Sequence, residues 1–249
     1  MVLKVLGSSS QGNCYILENR DEALIIEAGV RFIEVKKALN FNIRKVSGCL
    51  ITHQHNDHAK YIKAMVESGF PTLALEEVWT AKGVTGSRAY CIERGKGYKF
   101  GKFRVLPFDA CHDVPCVGYL IDHPETGRIM FLTDSCMCEY VFPGLNQIMI
   151  ECNYSDAKLV EAINAGRTLP SQRERLMTSH MELNTCKGFL CANDLTNVAN
   201  IILLHLSDNN SDEKHFVSEI ERQTGKVVYA AHTGLEIELD RILVWQNVW

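Results

Sequence analysis

No C-x-x-C pair occurs among the ten cysteines of this 249-residue chain, so a structural zinc knuckle is not expected. No window approaches the run of about eighteen apolar residues that would span a membrane. The opening MVLKVLGSSSQGN lacks a basic segment followed by a long apolar stretch, so no signal peptide is read. Thiols without an export signal point to a reducing cytoplasm. Most of them, Cys14, Cys49 and Cys152 among them, are expected as small buried core residues. No linker, repeat or low-complexity stretch interrupts the chain, which reads as one domain over residues 1–249. No Ser–His–Asp arrangement is seen. The segment Gly7-Ser8-Ser9-Ser10-Gln11-Gly12-Asn13 lacks the lysine of a phosphate loop and reads as a turn bordering a cleft.

A net charge of −4 excludes a surface coated for nucleic-acid binding but leaves room for local patches. Between Arg88 and Arg104 the chain carries Arg88, Arg94, Lys96, Lys99, Lys102 and Arg104 against Glu93 alone. This is the candidate phosphate-binding patch. A second set, Lys158, Arg167, Arg173 and Arg175, is diluted by Asp156, Glu161 and Glu174.

What is present in unusual density is metal-ligand chemistry. Thr52-His53-Gln54-His55-Asn56-Asp57-His58 follows an apolar, β-branched run from Val46 to Thr52 and precedes a helical pattern from His58 to Gly69. The cluster therefore occupies a strand-to-helix turn. His53 and His55, two residues apart, can point to one side. Asp57 and His58 can face a second ion where the chain enters the helix. Neutral imidazole and carboxylate suit zinc, and equally manganese or iron.

Further ligands are expected at the ends of other strands. His112 follows a strand over 103–108, Asp134 ends one over 129–133, and His205 ends one over 201–206. Each is a polar group closing an apolar run. Strands are also expected at 2–6, 14–18, 23–27, 117–121, 147–151, 227–230 and 236–239. Helices are expected at 31–39, 156–165, 171–177, 182–191 and 212–224. Mixed strands with helices in both halves fit two sheets packed face to face and covered outside by helices, an α/β (α+β) architecture.

The succession THQHNDH, HD, TD and HLS resembles the metallo-β-lactamase superfamily, and LGSSSQGNCYIL, ECNYSD and LLHLSDNN resemble its WalJ/YycJ-like single-domain branch. The resemblance runs from Val5 to about Leu239. It implies a four-layer αββα sandwich with a two-metal site between the sheets. It places His53, His55 and His112 on one divalent ion, Asp57, His58 and His205 on the other, and Asp134 between them. It also implies a phosphodiesterase or nuclease, with 5′-to-3′ exonuclease action on duplex DNA.

Two ions about 3.5–4 Å apart can activate a shared water and neutralise both oxygens of an in-line displacement. Asp57 can also orient that water. The leaving alkoxide needs a proton, for which His180 is the candidate acid, a histidine that similarly precedes a helix in tRNA-processing relatives. Glu151 is its candidate orienting carboxylate. The competing reading of His180 is a helix-capping surface residue. His123, His215 and His232 are read as structural or surface residues.

Two departures from the family stand out. Glu27, in Ile26-Glu27-Ala28-Gly29, replaces the usual aspartate that supports the metal loop. Cys136 and Cys138 directly follow Asp134, and are expected as free thiols rather than ligands. The leading expectation is thus a metal-dependent nuclease on DNA or RNA, with nucleic acid as partner and no membrane. A small-molecule hydrolase (cyclic phosphodiester, thioester or lactone) is the alternative, and a non-catalytic metal-binding protein is the weaker third.

Overall fold

The computed structural model describes residues 1–241; residues 242–249 of the expected domain lie outside the described residues. Short apolar runs separated by polar turns form the strands β1 Val2–Gly7, β2 Cys14–Glu18, β3 Ala23–Ile26, β4 Val46–Leu50, β5 Thr72–Ala74, β6 Ala89–Cys91 and β7 Tyr98–Phe100. They continue as β8 Phe103–Ala110, β9 Cys116–His123, β10 Gly127–Leu132, β11 Leu145–Glu151, β12 Asn200–Leu204, β13 Val227–Ala230 and β14 Glu236–Glu238. The helices are α1 Phe32–Ala38, α2 Asn56–Ala59, α3 Ile62–Glu67, α4 Glu76–Lys82, α5 Asp156–Asn164, α6 Arg173–Ser179, α7 Leu183–Ala192 and α8 Glu213–Thr224.

Two seven-stranded sheets result, ordered β14-β1-β2-β3-β4-β5-β6 and β13-β12-β11-β10-β9-β8-β7. Both are mixed. In the first, β3 to β6 run parallel; in the second, β10 to β13 do. Alternation along each strand decides the layers. Ile129 and Phe131 of β10 face the inter-sheet core with Tyr15, Tyr119 and Met149. Met130 and Leu132 face outward onto Leu190 of α7 and Phe216 and Ile220 of α8. Both faces of β10 and β11 are thus covered, which is why these strands are apolar almost throughout. On the other side Val35 of α1, Met65 of α3 and Val78 of α4 close the first sheet. This is a four-layer αββα sandwich, the architecture the resemblance implies.

The helix expected from His58 to Gly69 is broken in two. Tyr61 N donates to Ala28 O at 2.9 Å, and Tyr61 itself sits at φ −110°, ψ 18°. A tertiary hydrogen bond takes the amide that would have continued the helix. The strands β5, β6 and β7 and helix α4 were not expected. The strands are three residues each, too short for a periodic signal. The parallel strands deliver their carboxyl ends to one side of the sandwich, where ligands collect in such sheets.

Candidate metal centre

Backbone contacts between β2, β3 and α2 shape the histidine turn before any ligand is considered. Asn13 N donates to Asp57 O at 2.7 Å and Ala28 N to His58 O at 2.7 Å. The approach is so close that a Cβ on Gly29 would lie 1.7 Å from Asp57 O and 2.6 Å from Asn13 N. Only glycine fits there. Gly29→Ala should push Asp57 and His58 out of register and cut bound metal to well below wild-type content, measured by elemental analysis of the purified variant.

Glu27 is fully buried and has φ 69°. Its carboxylate accepts from Thr52 Oγ1 at 2.5 Å and lies 3.3 Å from His58 Nδ1. Thr52 Oγ1 in turn lies 2.9 Å from His53 Nδ1. With the Thr52 hydroxyl donating to Glu27, His53 Nδ1–H must donate to Thr52, which leaves Nε2 as an acceptor. Through Thr52 the carboxylate orients His53, and it lies close to His58 Nδ1, which is buried without a hydrogen-bond partner among the described residues. Glu27→Asp should lose one or both of these contacts and weaken metal binding roughly 10–100-fold, read as a shift in a metal titration.

Around this frame the sequence-derived residues converge into three groups. His53, His55, His112 and Asp134 form one, Asp57, His58, Asp134 and His205 a second, and Asp134, Glu151, His180 and His205 a third. Within each, the candidate ligand atoms all lie within 4.8 Å of one another. His55 Nδ1 is 3.1 Å from His53 Nε2 and 3.2 Å from His112 Nε2. His112 Nδ1 donates to Ser179 O at 3.1 Å, which frees its Nε2. Three ring nitrogens meet with too few protons to satisfy one another, the arrangement a cation resolves. Asp134 Oδ2 lies 3.0 Å from His58 Nε2 and 3.6 Å from His53 Nε2. His58 Nε2 and His205 Nε2 lie 3.3 Å and 3.6 Å from Asp57 Oδ2. His205 Nε2 is buried without a hydrogen-bond partner among the described residues. The donor set fits divalent metal.

The electrostatics divide the two donor groups: against the effect of burial, Asp134 raises His58 well above the ordinary imidazole value and His205 to about 10, protons that a bound metal displaces. Burial holds His53 well below the ordinary imidazole value, aided by repulsion from His58, and burial lowers His112 as well. Both stay neutral, the form that binds metal. Burial would raise Asp134, but His205, His58 and His53 hold its carboxyl well below the usual range. Asp134 and His205 both adopt left-handed backbone, φ 48° and 54°, a cost that β-chains bear at functional turns.

His180 Nδ1 is 2.7 Å from Glu151 Oε1. Glu151 is itself fixed by the amides of Ser135 at 2.9 Å and Met181 at 3.2 Å. Glu182 caps α7 by accepting from Asn184 N and Thr185 N, so His180 is released from the capping role and turns its other nitrogen away from Glu151. Burial opposes the charged form of His180, yet Glu151 raises its pKa above the ordinary value.

Several supporting residues were not singled out in the sequence. Asn13 Nδ2 lies 3.0 Å from His58 Nε2. Asn153 Nδ2 donates to His205 O at 2.6 Å, and Ser8 Oγ accepts from His205 N at 2.9 Å. Asp113 Oδ1 lies 3.1 Å from His112 Nε2, and its place beside His112 was the available signal. His123 is buried against Glu22 at 3.3 Å, while His215 and His232 lie apart from the donor groups. No cysteine joins those groups among the described residues. Cys136 Sγ lies 2.8 Å from Cys111 Sγ instead. Cys136→Ser should therefore leave the metal content unchanged, checked by elemental analysis.

A hollow of about 370 Å³ opens at this centre, reached by His180 and His205 and bordered by Ser9, Ser10, Arg167 and Arg175. The Gly7–Asn13 turn borders the cleft as expected. The cations are the surprise. The diluted set supplies Arg175 and Arg167, the latter paired with Glu161 at 3.0 Å, whereas Arg94 of the favoured patch pairs with Asp109, Lys96 pairs with Glu93 at 2.7 Å, and Lys99, Lys102 and Arg104 line a different cavity.

Comparison with known proteins agrees with this architecture. Residues 8–128 match the family model described as Metallo-beta-lactamase superfamily. The chain is 27% identical over 239 residues to exodeoxyribonuclease YycJ of Bacillus anthracis, covering 89% of each. It is 24% identical over 199 residues to exodeoxyribonuclease WalJ of Streptococcus pneumoniae, covering 74% of this chain and 72% of that one. The metallo-beta-lactamase fold protein YhfI of Bacillus subtilis superposes with a TM-score of 0.73 at 15% identity, covering 95% of this chain and 98% of that one.

Proposed function

We propose that this chain, a metallo-β-lactamase superfamily protein of the WalJ/YycJ-like kind by its similarities, is a two-metal phosphodiesterase that removes nucleotides from an end of DNA or RNA. The observation that carries this is the Asp134 carboxylate, common to all three donor groups. His53, His55 and His112 would hold one ion and Asp57, His58 and His205 a second, with Asp134 offering its carboxylate to both groups. Zinc or manganese suits these donors, and iron is accepted by the same set. When bound, such ions activate water for in-line attack at phosphorus and neutralise the developing charge.

The remaining steps belong to side chains. Asp57 orients the attacking water. His180 gives its proton to the leaving alkoxide, while Glu151, 2.7 Å away, fixes the ring and favours its charged form. Arg167 and Arg175 on the rim of the hollow take neighbouring phosphates. Residues 1–249 act as a single domain. All ten cysteines are free thiols, which supports a reducing cytoplasm. No helix among the described residues is long and apolar enough to cross a membrane.

The test is degradation of end-labelled duplex DNA and single-stranded RNA by manganese- or zinc-loaded protein. Processive loss of the 5′ end, absent in Asp57→Ala, is the expected result. Intact nucleic acid in every condition would overturn the reading. The modest size of the hollow, about 370 Å³, favours a small phosphodiester or ester as the second reading. Salt-insensitive turnover of such a compound distinguishes it, because phosphate-backbone binding weakens steeply with salt.

A further inference from the structure

The end of the second sheet farthest from the metal donors carries a cavity of about 600 Å³ lined by Lys99, Lys102, Arg104, Arg128 and Arg241, with Asp122 as its carboxylate. Arg128 Nε and Nη2 bond Asp122 at 2.8 and 2.9 Å, and Nη1 donates to Pro143 O at 3.0 Å. That pair accounts for the carboxylate. Among the described residues the side chains of Lys99, Lys102, Arg104 and Arg241 form no ion pair, the buried Glu22 accepting only from Lys102 N at 2.9 Å, although other surface cations such as Lys96 and Lys158 do. Like charges gathered without counterions repel, and a bound anion relieves them.

A second hollow of about 300 Å³ adjoins the first and shares Lys99, Arg104 and Arg128 with it. Its wall is apolar, formed by Tyr98, Val105, Leu106 and Leu120. Leu106 is 37% exposed, so this apolar wall is open to a ligand. The register separates this place from the metal centre. Arg104 pairs with Asp122 at one end of the β8–β9 ladder and Ala110 with Cys116 at the other. Six strand residues span about 20 Å, and His112 lies beyond Ala110. The cavity is therefore no extension of the cleft.

We propose that this double cavity binds a nucleoside polyphosphate, with the phosphates among the unmatched cations and the base against Tyr98, Leu106 and Leu120. Guanidinium groups match phosphate oxygens in a bidentate fork. The combined space is that of a small-ligand site. The apolar wall beside the cations offers a surface for a base face, which a duplex does not present. This inference does not depend on the nuclease reading.

Calorimetric titration of the metal-loaded protein with adenosine and guanosine triphosphate, and with inorganic tripolyphosphate, tests it. Saturable binding is expected, tighter for a nucleotide than for tripolyphosphate. Lys102→Glu/Arg104→Glu should weaken both at least tenfold, and Leu106→Asp should remove the advantage of the nucleotide. These side chains are exposed, and circular dichroism checks that the variants fold. If the double variant does not, Arg104→Gln takes its place. Absence of saturable binding would overturn the proposal. So would binding that survives charge reversal but is lost in Asp57→Ala, since the phosphates would then lie on the metal centre. Duplex DNA binding to this surface in place of the nucleotide would overturn the small-ligand assignment.

Discussion

Asp57→Ala should abolish hydrolysis, lowering kcat/KM by at least ~10³-fold, the scale of losing several kcal/mol of charge stabilisation at a metal centre. The carboxylate faces His58 Nε2 and His205 Nε2 at 3.3 and 3.6 Å. Its side chain is 21% exposed, so its removal leaves no cavity in the inter-sheet core and the fold should persist. His58→Ala should have the same effect on turnover. The loss should coincide with a lower metal content. Near-normal activity with unchanged metal in either variant would show that the second ion site is not needed for chemistry.

His180→Ala should lower turnover of nucleic acid by roughly 10²–10⁴-fold, the usual contribution of a positioned acid, while the metal content stays at the wild-type level. Leaving-group dependence makes this test sharper. A phosphodiester that expels p-nitrophenolate needs no proton, so the variant should hydrolyse it nearly as fast as wild type. The pH profile gives an independent readout. Glu151 raises the pKa of His180 above the ordinary imidazole value against the opposing effect of burial. The acid is therefore protonated at low pH and stays so beyond the ordinary imidazole range. Activity should fall only as the pH rises through the raised value, and that alkaline limb should vanish in His180→Ala. Loss of metal from the variant would instead make His180 a ligand, as its presence in the group with Asp134 and His205 requires testing.

The convergence of the donor groups was legible because it obeys local rules. His53, His55, Asp57 and His58 lie within one turn, and His112, Asp134 and His205 each follow an apolar strand whose end faces the cleft. The supports were less legible, because Asn13, Asn153 and Ser8 reach the centre from distant segments and carry no spacing signal. The split between α2 and α3 depends on one bond to Ala28, a contact that no helical pattern encodes. Charge was the least legible feature. Linear clustering picked out Arg88 to Arg104, yet a strand has two ends, and Lys99, Lys102 and Arg104 fall at the end away from the metal donors. The sparser Arg167 and Arg175 stand at the cleft because α5 and α6 follow β11, whose carboxyl end holds Glu151. Glu27, where the resemblance expects aspartate, accepts from Thr52 at 2.5 Å and lies 3.3 Å from His58.

The most direct measurement is hydrolysis by chelator-stripped protein as metal is added back in known ratio to the chain. A two-metal centre with Asp134 between the ions requires that activity stay low through the first equivalent and break to its plateau at two. Full activity at one equivalent, or activity in the stripped protein, would contradict it.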